Sequence, residues 1–146
     1  MTSAPDTDAA WASLPVTRDA LLDAARAAYA RAHSPYSNVK VGAAVVDREG
    51  RVFVGCNVEN ASHGLTVCAE RNAIGRAVAD GAGELLAVAI ASDQPAPLMP
   101  CGACRQVLCE FAPELLVATV GAEGDVVLSR LDVLLPQAFT RRDLPR

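Results

Sequence analysis

Cys68-Ala69-Glu70, followed after 29 residues by Pro100-Cys101-Gly102-Ala103-Cys104, constrains this chain more than any other stretch. Three thiols supply three of the four tetrahedral positions of a zinc ion and leave one for water. A closed structural site takes a fourth Cys or His. An acidic side chain beside the first thiol instead offers a base for the proton of a reactive water. The pattern therefore reads as a catalytic metal site, with Cys68, Cys101 and Cys104 as ligands and Glu70 as the proton-handling group. It constrains the fold as well, because two segments far apart in the chain must start their helices at one point.

Cys101 and Cys104 are three apart, so on a first helical turn they share nearly one face. Pro100 suits a helix start, and the positive end of that helix favours thiolates. Cys68 and Glu70 are two apart, which on a regular helix points them to opposite sides. Both reach one metal if Cys68 lies at the non-helical cap and Glu70 in the first turn of a helix over 70–79. Three thiolates and one divalent ion leave an excess negative charge, a poor setting for a Lewis acid. A cationic donor beside the sulfurs offsets that charge. Arg71 adjoins the motif and is assigned there; a solvated helix arginine is the plain alternative.

The rest of the chain reads as a scaffold. Residues 1–16, rich in Ala, Ser, Thr, Asp and Pro, form a mobile tail that Trp11 and Leu14 could tack to a surface, and 17–146 form one domain. Thr17 caps a helix that Pro35 ends. Val39 to Val46 and Arg51 to Cys56 are β-rich runs joined by Asp47-Arg48-Glu49-Gly50, a hairpin signal. Gly42 and Gly55 within them point to bulges or close backbone approach. The polar stretch Asn57 to Gly64 leads to the first metal helix and is placed to line a pocket. Leu85 to Ala91 and Leu115 to Val120 are apolar runs of the kind found in strands covered on both faces. Cys101 to Phe111 is the second metal helix, and Val126 to Leu128 and a short helix around Leu131 to Leu135 follow. The alternation of strand and helix implies an α/β domain with parallel strands and right-handed crossovers, its site at the carboxyl ends of strands.

Composition excludes several classes. A net charge of −4 without a basic run lacks the electrostatic footprint of a nucleic-acid binder. No apolar run is long enough to span a membrane, and the N-terminal order is not that of a signal peptide. Five cysteines, three of them at metal spacing, fit a reducing, cytoplasmic setting better than a disulfide framework. Cys56 and Cys109 lack metal spacing and read as small buried hydrophobes. A thiol redox protein using Cys101 and Cys104 would leave Cys68 and Glu70 without purpose.

Ordered motifs carry a resemblance: Ser34-Pro35-Tyr36-Ser37, Val41-Gly42-Ala43-Ala44, Gly55 to Ala61, Val67 to Arg71, Pro100 to Leu108 and Leu134 to Phe139. The chain resembles the small, homotetrameric, three-cysteine cytidine deaminases over most of its length after residue 30. The resemblance implies a three-layer α/β/α fold with a mixed five-stranded sheet and one zinc ion per subunit. It also implies hydrolytic deamination of cytidine and deoxycytidine to the uridines in pyrimidine salvage. Asn57 and Glu59 then match the pair that holds the ribose hydroxyls, Val58 between them counts with the substrate-binding residues, and the backbone around Ala69 and Glu70 reads the pyrimidine edge. Phe139 matches an aromatic lent to a neighbouring subunit's pocket. Family members commonly carry Phe where this chain has Val39, a ring that packs on the base. The smaller side chain leaves open a sibling aminohydrolase acting on a bulkier, N4-substituted cytosine nucleoside or a nucleoside antibiotic. His63 stands where Tyr is common and reads as a rim or interface group, with a fourth ligand as the lesser alternative. His33 reads as surface.

Overall fold

The protein is described by a computed structural model covering residues 6–145. The hairpin signal is realised as β1 (Val41–Asp47) and β2 (Val52–Cys56), antiparallel with Val45 opposite Phe53 and Gly42 opposite Cys56. The remaining strands are β3 (Leu85–Ser92), β4 (Leu116–Val120) and β5 (Val126–Arg130), and the sheet order is β2-β1-β3-β4-β5. Only β3 and β4 are parallel neighbours. The sheet is therefore mixed, as the family resemblance implied, and not the parallel sheet implied by strand–helix alternation. Two short turns force antiparallel partners on β1 and β4. β2, β3 and β4 still run in one direction, with β1 inserted between the first two.

Alternate residues of the central strands face opposite layers, as a pleated strand requires. Ala44, Val46, Ala87, Ala89 and Ala91 pack beneath α2 (Arg18–Tyr29), which buries Leu21, Leu22 and Ala25. Thr17 caps α2 by accepting from the Ala20 N–H at 3.1 Å. The helix ends at Tyr29, ahead of Pro35, because His33 leaves to pair with Val58. Small residues allow this layer to lie close. A Cβ on Gly42 would stand 2.0 Å from the Ala25 carbonyl oxygen, so the expected close approach is real and neither Gly42 nor Gly55 sits at a bulge.

The opposite face carries α3 (Ala69–Ala79), α4 (Gly102–Phe111) and α5 (Leu131–Leu134). Ile74, Leu108 and Leu131 pack there on Val45, Val88, Ile90 and Val117. The result is a three-layer α/β/α domain. Both α3 and α4 start from loops that leave the carboxyl ends of strands β2 and β3, so their N-termini meet at one edge of the sheet.

The segment before residue 17 differs from the expected tail. Thr7–Ala12 form a helix, α1, capped by Asp6, and Trp11 is buried in the α2-side core. Burial of one large indole outweighs a local composition that by itself favours disorder. Residues 1–5 of that expected tail lie outside the described residues. No helix among the described residues is long and apolar enough to cross a membrane.

Candidate active site

The two cysteine motifs occupy equivalent places. Cys68 is the N-cap of α3 and Cys101 the N-cap of α4, both with extended backbone, at φ −67°, ψ 155° and φ −66°, ψ 166°. Glu70 falls in the first turn of α3 and Cys104 in the first turn of α4. The cap geometry is what lets residues two apart serve one centre. The three sulfurs of Cys68, Cys101 and Cys104 lie within 4.8 Å of one another, and Cys68 Sγ is 3.8 Å from Cys101 Sγ. Zinc–sulfur bonds of about 2.3 Å at a tetrahedral angle place two ligand sulfurs about 3.8 Å apart. The Cys68–Cys101 separation matches that spacing, Cys104 Sγ completes a cluster of zinc-binding size, and two helix N-termini direct their positive ends at it.

Charges around the cluster are coupled. The Cys68 thiol is brought down to about 5, chiefly by the hydrogen bond it shares with Cys104 and then by Arg71. Arg71 Nη2 lies 3.7 Å from Cys68 Sγ and donates to the Thr66 carbonyl at 3.3 Å. The guanidinium therefore lies beside the Cys68 sulfur. Cys104 is pushed up by the neighbouring Cys68 sulfur, by burial and by Glu70. Glu70 is buried at 5% exposure, and that burial raises its carboxyl above the ordinary range. Its Oε2 accepts from the Cys104 thiol at 3.3 Å. A buried carboxyl with a raised pKa, touching the thiol cluster, has the properties of a general acid–base group.

A second group of residues surrounds the strand end beside this centre. Val58 pairs with Val67, the residue before Cys68, through reciprocal backbone bonds of 3.0 Å. Asn57 is buried; its Nδ2 donates to the Val39 carbonyl and its Oδ1 accepts from the Val41 N–H, each at 2.8 Å. It thus continues the β1–β2 ladder with a side chain, leaving one N–H and one lone pair for another partner. Glu59 accepts from the backbone N–H groups of Tyr36 and Ser37 and from the Ser37 hydroxyl. The Ser37 hydroxyl bond is the main reason its carboxyl is held below the usual carboxylate range. Ser37 Oγ also accepts from the Val39 N–H at 3.0 Å, and Asn38 turns the loop at φ 59°, a region Asn tolerates. Val39 is half-buried between these anchors.

The structure therefore brings together Cys68, Cys101, Cys104, Glu70 and Arg71, and joins Asn57, Val58, Glu59 and Val39 to them through Val67. Ala69 is buried at the first position of α3. None of these contacts reaches Phe139, whose ring is 60% exposed on an arm tied to α4 by the Gln106 amide, which donates to the Phe139 carbonyl at 2.8 Å. His63 lies outside the sulfur cluster and packs edge-on against Tyr36, with ring centres 5.5 Å apart. Cys109 is buried as expected, whereas Cys56 is only half-buried. Arg105 was not singled out from sequence. It donates to the Pro100 carbonyl at 2.8 Å and the Leu134 carbonyl at 2.9 Å, bracing the loop before Cys101. Its place within Pro100 to Leu108 was the available signal.

The cytidine and deoxycytidylate deaminase zinc-binding region matches residues 16–120. The chain is 42% identical over 128 residues to a cytidine deaminase of Halalkalibacterium halodurans, covering 87% of this chain and 97% of the relative. It is 48% identical over 120 residues to a cytidine deaminase of Mycobacterium tuberculosis, covering 82% and 86%. The crystal structure of cytidine deaminase from Burkholderia pseudomallei superposes with a TM-score of 0.82 at 50% identity, covering 85% of this chain and all of that one. That of the Mycobacterium tuberculosis cytidine deaminase gives 0.75 at 44% identity, covering 85% and 98%.

Proposed function

Because the chain belongs to the cytidine and deoxycytidylate deaminase family, we propose that it hydrolyses cytidine and deoxycytidine to uridine and deoxyuridine with release of ammonia. The observation that carries this reading is the contact of the buried Glu70 carboxyl with one of three convergent thiols. Cys68, Cys101 and Cys104 would hold the zinc ion, which would supply a Lewis acid able to bring the pKa of a water molecule towards about 7.

Glu70 moves the protons. Its carboxylate accepts one from the attacking water and delivers it to N3 of the cytosine ring, which makes C4 electrophilic. After addition at C4 it takes the proton of the new C4 hydroxyl and carries it to the amino group, which departs as ammonia as the C4–N bond breaks and the C4 carbonyl forms. Burial suits it to both directions, because a carboxyl raised above its ordinary range holds a proton more readily and returns it at modest cost. Arg71 draws electron density from Cys68 and offsets the excess negative charge of three thiolates. The remaining amide valences of Asn57 and the carboxylate of Glu59 hold the sugar hydroxyls. The backbone at Ala69 and Glu70 borders the pyrimidine, and Val39 borders the base.

The chain acts as a homotetramer, with Phe139 completing a neighbour's pocket. Exposure of Val58 at 44%, Leu65 at 66% and Phe139 at 60% supports this, since such side chains gain from cover by a second copy. Five free thiols support a cytoplasmic setting, and a uridine product suits a role in pyrimidine salvage. Purified zinc-loaded protein, assayed by ultraviolet absorbance with cytidine and deoxycytidine, should convert both and release ammonia in equal amount. No conversion of either would overturn the reading.

A further inference from the structure

Asn72 lies in the first turns of α3, two residues after Glu70 and four after Cys68. Its Nδ2 donates to the carbonyl of Cys56 at 2.9 Å. Cys56 is the last residue of β2 and directly precedes Asn57. The Asn57 N–H reaches across to the Val41 carbonyl at 3.1 Å, so the alternation of an antiparallel pair turns the Cys56 carbonyl outward from the sheet edge. Asn72 is the group that meets it there. The backbone beside this bond is in close contact. A Cβ on Gly55 would stand 2.4 Å from the Ala73 nitrogen and 2.7 Å from the Ala69 carbonyl oxygen. No side-chain layer separates α3 from β2 at this point, so the spacing is set by backbone contact at Gly55 and by the amide of Asn72.

The loop beyond Cys56 is held by other elements as well. The Asn57 carbonyl accepts from the His33 N–H at 3.0 Å, and the Glu59 N–H donates to the His33 carbonyl at 2.8 Å. Those bonds fix the loop to the exit of α2. The bond from Asn72 fixes it to the helix that carries Glu70.

We propose that Asn72 is a positioning residue that sets the distance between the acid–base helix α3 and the loop Asn57–Glu59. This rests on the reading above, in which that loop holds the sugar and Glu70 serves the base. A nucleoside spans the two, so its C4 and N3 are presented to Glu70 only when helix and loop keep their spacing. Displacements near 1 Å between positioned groups cost on the order of 10²-fold in rate. The three sulfurs are on the cap of α3 and on the cap and first turn of α4, and none of them takes part in this bond.

The test is kinetic, with zinc content and Tm measured on the same samples of Asn72→Ala, Asn72→Asp and Asn72→Gln. Arg76→Ala, which removes an exposed ion pair with Asp80 on α3, is the control. The loss should fall on kcat for cytidine, at least about tenfold in the Ala variant, because orientation and not retention is disturbed. KM should stay within about threefold and zinc per chain should be unchanged. Asp, whose carboxylate opposes the Cys56 carbonyl, should be worse than Ala, and Gln, which keeps a donor on a longer stem, better. Wild-type kcat in a folded, zinc-loaded Ala variant would overturn the proposal, even with a lowered Tm. Should Ala and Asp fail to fold, Gln decides: a kcat reduced at least about threefold supports positioning, and wild-type kcat overturns it. A wild-type protein inactive on cytidine overturns the functional reading itself, and with it this proposal.

Discussion

The Cys104 thiol and the Glu70 carboxyl meet at 3.3 Å between two helix N-termini, the thiol donating to Oε2. The carboxyl and the sulfur cluster thereby lie within hydrogen-bond reach of each other, on helices anchored in the core by Ala73, Ile74 and Leu108.

Removing the carboxylate should leave the site intact and idle. Glu70→Gln is nearly isosteric and keeps the donor set of three thiols, but cannot accept the proton of water. A positioned acid–base group contributes about 10²–10⁴-fold, and here one group serves several transfers, so kcat should fall by at least that much with zinc unchanged. A kcat within about tenfold of wild type would reject Glu70 as the proton carrier.

The same residue should lower stability at neutral pH. Burial raises the folded-state pKa of Glu70 above its unfolded value, so the native chain holds a proton that the unfolded chain releases. Stability therefore falls as pH rises through that interval, and the difference persists above it. In metal-free protein, Glu70→Gln should be the more stable form at about pH 8, with the gap closing towards about pH 4. Denaturant midpoints at both values check this, and a gap that widens on acidification would show the opposite sign.

Cysteine substitutions should divide into two sets. Cys68→Ala, Cys101→Ala or Cys104→Ala should lose zinc and activity together, whereas Cys56→Ala and Cys109→Ala should keep zinc bound. The division follows from the sulfur cluster, which includes the first three and neither of the others. Full zinc occupancy in Cys104→Ala, measured by metal analysis, would remove that residue from the ligand set.

Val39→Phe tests the proposal that Val39 borders the base. A ring at this position adds stacking worth roughly 0.5–1.5 kcal/mol, or about a two- to twelvefold gain in kcat/KM for cytidine. It should also reduce activity on cytidines with a bulky N4 substituent, because it fills space that Val leaves. Parallel responses of the two substrates would mean that Val39 packs elsewhere.

Much of the site was legible because its chemistry is local. A thiol that must be a cap, an acid that must follow in the first turn, and a cation next to both are spacing constraints, and Cys68, Glu70 and Arg71 lie where those constraints put them. The hairpin and both metal helices were legible for the same reason. What escaped depends on partners distant in the chain. Trp11 makes a helix of a stretch whose composition favours a tail. The Asn57 amide grips Val39 and Val41, and the Asn72 amide finds an outward carbonyl, only after β1, β2 and α3 are assembled. Strand order escaped as well, since alternation of strand and helix does not reveal that β1 inserts between β2 and β3.

The central claim, hydrolytic deamination at the three-thiol centre, is tested most directly by ammonia release from cytidine as zinc is titrated into metal-free protein. Activity should rise from background and level off at one zinc per chain, with no such rise in Glu70→Gln carrying the same metal. Deamination at full rate without metal, or none at any zinc level, would contradict it.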